Sequence, residues 1–201
     1  MIKRLFDMGL AGFGLLASSP LWLALAVLIK LEDRGPVFYT QDRVGRGGRR
    51  FLAMKFRSMR PDAEASSGPV QATAHDPRVT RIGRWMRKTA MDELPQLWNI
   101  FRGDMSFVGP RALRPGEIEA ETDGTLVALE DVPGFEHRIR VRPGLTGLAQ
   151  IYARRDIPRR HKFRYDRIYV ERGSWLLDAR LILLSFWISF LGTWEARGRK
   201  Y

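Results

Sequence analysis

The residues best placed to do chemistry are Asp92 and Glu93, adjacent carboxylates within residues 89–111, TAMDELPQLWNIFRGDMSFVGPR. Pro95 has no N–H and fixes its own φ, so it suits only the first turn of a helix, and this predicts a helix start close to Asp92. Leu94, Leu97, Trp98 and Phe101 follow at helical spacing, and Gly103 supplies a stop. Both acids then sit at the positive end of a helix dipole, which favours ionised carboxylates able to hold a metal or attack phosphorus. Capping is the commonest use of an acid before a helix. Here, however, Arg81, Arg84, Arg87 and Lys88 precede the pair and Gly109-Pro110-Arg111 follows it. Cations crowded around two acids point to an anionic substrate.

The surrounding elements must hold those groups in place. Residues 37–41 and 51–59 read as two strands joined by Gly45, Gly47 and Gly48. In the second strand Leu52, Met54 and Phe56 alternate against Ala53, Lys55 and Arg57, so Lys55 and Arg57 share a face. That face is either solvated or in contact with an anion. Residues 79–88 read as a basic amphipathic helix feeding the acid pair, with Arg81, Arg84 and Lys88 on one side. Residues 105–108 are strand-like and end at Gly-Pro-Arg, a stiff corner presenting Arg111, whose fork suits a phosphate. The acid-rich stretch 114–134 reads as a solvated helix and loop. Residues 135–141 alternate like a strand and lead into the rigid loop Arg142-Pro-Gly-Leu-Thr-Gly, which offers Arg142 as a diphosphate contact. Residues 61–77 read as a surface loop. His75, His137 and His161 are isolated, with no zinc-ligand spacing.

Residues 8–29 contain no charged side chain, so this is the segment apolar enough to enter a bilayer. Three readings compete. A signal peptide is disfavoured because no small-x-small cleavage site precedes Lys30-Leu31-Glu32. A plain spanning helix fits the length, yet Ser19-Pro20 falls at its middle, where proline removes a backbone hydrogen bond. Each half would rise about 15 Å, roughly half the hydrocarbon core, so a helix bent there enters and leaves by one face. Lys3 and Arg4 before it, and Lys30 and Arg34 after it, favour keeping both ends cytoplasmic. The Ser18 and Ser19 hydroxyls are candidates to serve the carbonyl that Pro20 leaves unpaired. Residues 175–194 read as a second apolar helix lying at the interface, because the uncharged run from 181 to 194 is short for a span.

Lysine and arginine number 34 against 22 acids, a net charge of +12, which calls for anionic partners such as nucleic acid, acidic headgroups or phosphorylated substrates. The densest basic run, 154–167, lacks any recognisable nucleic-acid-binding signature and reads as headgroup contact. Without cysteine the chain has neither a disulfide framework nor thiolate metal sites.

KFRSM at 55–59, the block at 87–111 and RPGLTGLAQ at 142–150 resemble the bacterial sugar transferases called monotopic phosphoglycosyl transferases, over nearly the whole chain. The resemblance implies an α+β fold: a re-entrant N-terminal membrane helix broken at Ser19-Pro20 (residues 1–34) and a small cytoplasmic catalytic domain with interfacial helices (35–201). It implies that sugar-1-phosphate passes from a UDP-sugar to a polyprenyl phosphate, with release of UMP, at the cytoplasmic face of the bacterial inner membrane. Asp92 would be the nucleophile that carries the phosphosugar, and Glu93 its base or metal support. Lys55, Arg57, Arg87, Arg111 and Arg142 would contact substrate, and Mg²⁺ would sit at Asp92 with Asp166. Asp166 and Tyr169 match a D-x-x-Y element of the family. Nucleic acid is not among the expected partners, and a homo-oligomer is left open. One departure is Ala112, where the family usually has proline. The competing reading is a basic, non-catalytic membrane-associated binding protein.

Overall fold

The computed structural model describes residues 2–63, 76–120, 125–154 and 157–194. His75, Glu121, Asp123 and Arg155 therefore lie outside the described residues. Within them the chain mixes helices with three two-stranded sheets.

Helix α1 (Ile2–Asp33) is long and apolar enough to cross a membrane, and little of it is buried within the protein. It runs through Pro20 without interruption, so the break expected at Ser19-Pro20 is not a break in helical structure. The reason is local. Pro20 cannot donate to the carbonyl of Leu16, and the Ser19 hydroxyl donates to it instead at 2.8 Å, while Ser18 Oγ donates to Gly14 O at 2.6 Å.

The rest of the fold fastens itself along this helix. Strands β1 (Phe38–Val44) and β2 (Arg50–Phe56) pair antiparallel around a 3₁₀ turn at Arg46–Gly48, with Tyr39 opposite Lys55. Helix α2 (Arg81–Thr89) starts on Thr80, whose hydroxyl accepts from Gly83 N at 3.0 Å. Helix α3 (Gln96–Arg102) lies against α1, where Gly12 and Gly14 leave room for Phe101 and Leu97. Buried Asn99 joins α3 to β2, accepting from Met54 N at 3.0 Å and donating to Leu52 O at 2.8 Å.

Strand β3 (Ser106–Val108) runs parallel to β6 (Gly144–Thr146). A Cβ on Gly144 would run into the Gly109 backbone, and one on Gly109 into the Arg142 carbonyl. The glycines of G-P-R and R-P-G-x-T-G are thus two halves of one close backbone joint.

Two stretches differ from expectation. Residues 114–134 hold an antiparallel hairpin, β4 (Ile118–Ala120) with β5 (Leu126–Ala128), rather than a helix. Residues 135–141, expected as a strand, begin with the short helix α4 (Phe135–Arg138). Phe135 and Ile139, four apart, pack into one cluster with Leu113, Leu129 and Phe163, so the helical spacing prevails over the apparent alternation.

Helices α5 (Leu148–Tyr152), α6 (Arg159–Arg172) and α7 (Trp175–Leu191) complete the chain. The main core gathers Ala11 of α1, Ile100 of α3, Phe107 of β3, Tyr169 of α6 and Leu181 and Ile188 of α7. Leu25 and Ile29 form a second cluster with Phe56 and Met86. Both halves of α1 therefore pack on the same body. Its ends are fastened as well: Lys3 pairs with Asp178, Arg4 donates to Ile100 O and Phe101 O, Glu32 accepts from Arg81 N, and Asp33 pairs with Arg57. Phe13, Leu16 and Leu23 of α1, Trp98 of α3 and Leu176, Phe186 and Phe190 of α7 are left exposed.

Candidate active site

Asp92 and Glu93 occupy a 3₁₀ turn, Met91–Glu93, between α2 and α3. They precede α3 rather than opening it, because Pro95 stands at its N-cap. Ala90 ends α2 in the left-handed region at φ 56°, donating to Arg87 O and Met86 O, and this reversal turns the acids inward. A left-handed non-glycine next to the acid pair is the sort of backbone strain that collects at active sites.

Both acids face a cavity of about 1250 Å³, larger than an ordinary small-molecule pocket. Asp92 is buried, and burial raises its pKa; Glu93 adds to this, while the charges of Lys55 and Arg87 oppose it. Burial would raise Glu93 too, but Lys55 and Arg111 outweigh it and hold Glu93 well below the usual carboxylate range. Lys55 makes an ion pair with Glu93, and Arg111 Nη2 lies 3.9 Å from the same oxygen. The two carboxylates are thus driven apart. Glu93 is committed to cations, and Asp92 is the more basic and less encumbered oxygen donor.

Of the residues singled out in the sequence, Asp92, Glu93, Lys55, Arg87, Arg111 and Asp166 line this one cavity. Arg57 also touches its wall but is buried and committed, with both Nη atoms on Asp33 and Nε donating to Pro36 O at 2.5 Å. Its place is to fasten the end of α1. Arg142 is not among the lining groups; its Nε donates to Gly103 O at 2.9 Å. Asp166, expected beside a metal with Asp92, instead pairs with Arg138 at 3.0 Å, both side chains being buried. Its partner in the D-x-x-Y element, Tyr169, lies 2.8 Å from Asp178 Oδ1 and 3.0 Å from Val108 O, joining α6, α7 and β3.

Five further arginines of the wall, Arg43, Arg60, Arg114, Arg138 and Arg159, are not among the site residues of the sequence reading. Arg43 follows Tyr39 and Gln41 on one face of β1, and Arg114 and Arg159 stand with it near Arg111. Burial, then the charges of Arg111 and Arg114, lowers Arg43 to about 9 and Arg159 to about 10. The alternation of Tyr39, Gln41 and Arg43 was the available signal for Arg43. Arg159 lay in the run assigned to headgroups, and its ion pair with Glu117 of the 114–134 stretch has no sequence signature. The same wall includes apolar side chains, Leu10, Phe13 and Leu21 of α1 with Ile182 and Phe186 of α7.

Among the described residues no group of three or more acids or histidines could hold a metal ion. A Mg²⁺ held here would take its protein ligands from Asp92 and Glu93 and would supply positive charge against phosphate.

The sequence model of the family described as bacterial sugar transferase matches residues 1–192. The chain is 42% identical over 190 residues to the undecaprenyl-phosphate glucose phosphotransferase of Komagataeibacter xylinus, covering 91% of this chain and 35% of that protein. It is 42% identical over 187 residues to the exopolysaccharide production protein PSS of Rhizobium leguminosarum bv. phaseoli, covering 90% and 92% respectively. To the UDP-N-acetylgalactosamine-undecaprenyl-phosphate N-acetylgalactosaminephosphotransferase of Aeromonas hydrophila it is 41% identical over 184 residues, 90% of this chain and 42% of that protein. The chain thus spans well under half of the first and third of these relatives and nearly all of the second.

Proposed function

This chain belongs to the bacterial sugar transferase family, and on that premise we propose that it moves sugar-1-phosphate from a UDP-sugar to undecaprenyl phosphate. The observation that carries the reading is the single cavity in which buried Asp92 and cation-bound Glu93 stand among Lys55, Arg87 and Arg111, and whose wall continues into apolar side chains of α1 and α7. The charged groups suit a diphosphate and the apolar ones an isoprenoid chain.

In the proposed reaction an Asp92 carboxylate oxygen attacks the phosphorus that bears the sugar. The P–O bond to the uridine-side phosphate breaks, UMP leaves, and the phosphosugar remains on Asp92 as an acyl phosphate. A phosphate oxygen of the acceptor then attacks the same phosphorus, the bond to Asp92 breaks, and undecaprenyl diphosphate sugar is released with the carboxylate restored. Lys55, Arg87 and Arg111 offset the charge of the transferring group. Glu93, held ionised by Lys55 and Arg111, supports the donor side. Mg²⁺, when bound at Asp92 and Glu93, would neutralise diphosphate charge.

Membrane placement follows the same logic. Lys3 and Arg4 at one end of α1, and Glu32 and Asp33 at the other, are fastened to one body, which favours both ends on the cytoplasmic face with the apolar middle dipping into the bilayer. A spanning helix would place its ends on opposite sides.

The test is release of UMP from a panel of UDP-sugars with Mg²⁺ and no lipid. Asp92→Asn removes the nucleophilic oxygen, so release is lost while the variant still sediments with membranes. Substantial turnover by Asp92→Asn removes Asp92 from this role, and no release by the wild type from any UDP-sugar favours the binding-protein reading.

A further inference from the structure

The corner that carries Arg111 has its backbone held at successive positions. Tyr169 Oη lies 3.0 Å from Val108 O, Gly109 N donates to Thr146 O at 3.0 Å, and Gly144 N donates to Pro110 O at 2.9 Å. Arg43 Nη1 donates to Ala112 O at 3.0 Å, so the residue after Arg111 is fixed from β1. Between these, Arg138 Nη2 donates to the carbonyl of Arg111 itself at 2.7 Å.

This last contact is of a different kind. Arg138 is 5% exposed, its Nε pairs with equally buried Asp166, and its guanidinium lies 4.6 Å from the centre of the Phe163 ring. Burying a charged pair is costly, and a carbonyl can be satisfied by a neutral donor as well. What a locked guanidinium adds is direction: Asp166 and Phe163 fix its plane, and its remaining arm meets one carbonyl at one angle. The Arg111 side chain, by contrast, is about half exposed and 3.9 Å from Glu93. An exposed arginine contributes to binding only as far as its freedom is already restricted.

We propose that Arg138, locked by Asp166 and Phe163, is a positioning residue: it fixes the Arg111 backbone so that the Arg111 guanidinium is aimed at the donor diphosphate. This rests on the reading of the cavity as a UDP-sugar site. It assigns the aspartate of the D-x-x-Y element to the donor arginine, acting at second hand, and away from the metal.

One rival account is that the Arg138–Asp166 pair merely joins α4 to α6, in which case stability moves and affinity does not; the other is that the pair, which also lines the cavity, touches the ligand itself, in which case its loss and that of Arg111 multiply. UDP with Mg²⁺, titrated calorimetrically, separates the three. Arg111→Ala weakens UDP binding about tenfold or more, as expected for a charged hydrogen bond. The paired replacement Arg138→Met with Asp166→Leu keeps the volume apolar and leaves the melting midpoint within a few degrees, yet weakens UDP to the level of Arg111→Ala. Adding Arg111→Ala to that pair costs nothing more, because the side chain being aimed is gone. Wild-type affinity in the paired variant overturns the proposal, as does a triple variant whose loss is the product of the separate losses. If the paired variant does not fold, Arg138→Lys decides: one ammonium keeps Asp166 but gives up the fork to Arg111, so the same weakening is expected, and full affinity overturns the proposal. Failure of the wild type both to bind UDP and to release UMP would sink the reading of the site itself.

Discussion

Asp166→Ala is the substitution for which a ligand role and a structural role differ most. Asp166 and Arg138 are each about 95% buried, and their oxygen and nitrogen lie 3.0 Å apart. Removing the carboxylate leaves a buried guanidinium with a carbonyl and a ring but no counter-charge. Breaking one side of such a pair costs about 3–5 kcal/mol. For a chain of this length about 1 kcal/mol moves the melting midpoint by roughly 2–4 °C, so the expected fall is about 6–20 °C. Burial already pushes both groups toward their neutral forms, Arg138 downward and Asp166 upward despite each other's charge, so the ionic pair itself adds little net stability. Replacing both with Met and Leu therefore restores most of the midpoint. The assay is thermal unfolding in detergent, followed by circular dichroism, for the wild type, Asp166→Ala and the paired variant, alongside the Mg²⁺ dependence of UMP release. A midpoint unchanged in Asp166→Ala together with a raised Mg²⁺ requirement would refute the argument and return Asp166 to the metal.

The remaining predictions concern the helix, the joint and the arginine cluster. The chain has no cysteine, so Ile2→Cys and Arg34→Cys are clean topology probes; both react with an impermeant maleimide only after cells are opened, and labelling of either in intact cells overturns the one-face placement of α1. Gly144→Ala drives a methyl into the Gly109 backbone and separates β3 from β6, with an expected loss of about 1–3 kcal/mol and of most UMP release; a variant with wild-type unfolding would show the joint to be slack. Burial and the charges of Arg111 and Arg114 weaken the hold of Arg43 on its proton, yet a guanidinium stays charged through the working pH range, so Arg43→Met removes a cation from the cavity wall. The KM for the UDP-sugar therefore rises by roughly tenfold in Arg43→Met with a smaller change in kcat; an unchanged KM takes Arg43 out of donor binding.

What could be read from the sequence was what is local. The acid pair, the Gly-Pro-Arg corner, the β1–β2 hairpin and the long apolar helices each declare themselves through proline, glycine or periodicity within a dozen residues. The Ser19 hydroxyl was rightly matched to the carbonyl orphaned by Pro20, because that contact spans three residues. Less is legible where long-range pairing decides. Asp166 meets Arg138 across 28 residues and Arg57 meets Asp33 across 24, and neither partner can be inferred from spacing. Alternation at 135–141 suggested a strand because Phe135 and Ile139 fit both periods, and only their shared cluster selects the helical one. Arg43 belongs to no motif of its own, and only the register that sets Tyr39 opposite Lys55 places its strand against the same cavity.

The fastening of α1 at both extremities has a consequence for how such an enzyme would meet its oily substrate. If α1 dips into the bilayer as proposed, a helix moored fore and aft to its own body cannot ride higher or lower against it, so the height of Asp92 above the acyl chains would be decided when the protein folds and not when the acceptor arrives. Bilayers of unequal thickness would then present their phosphates at the same altitude relative to the carboxylate, and turnover should track headgroup crowding rather than tail length.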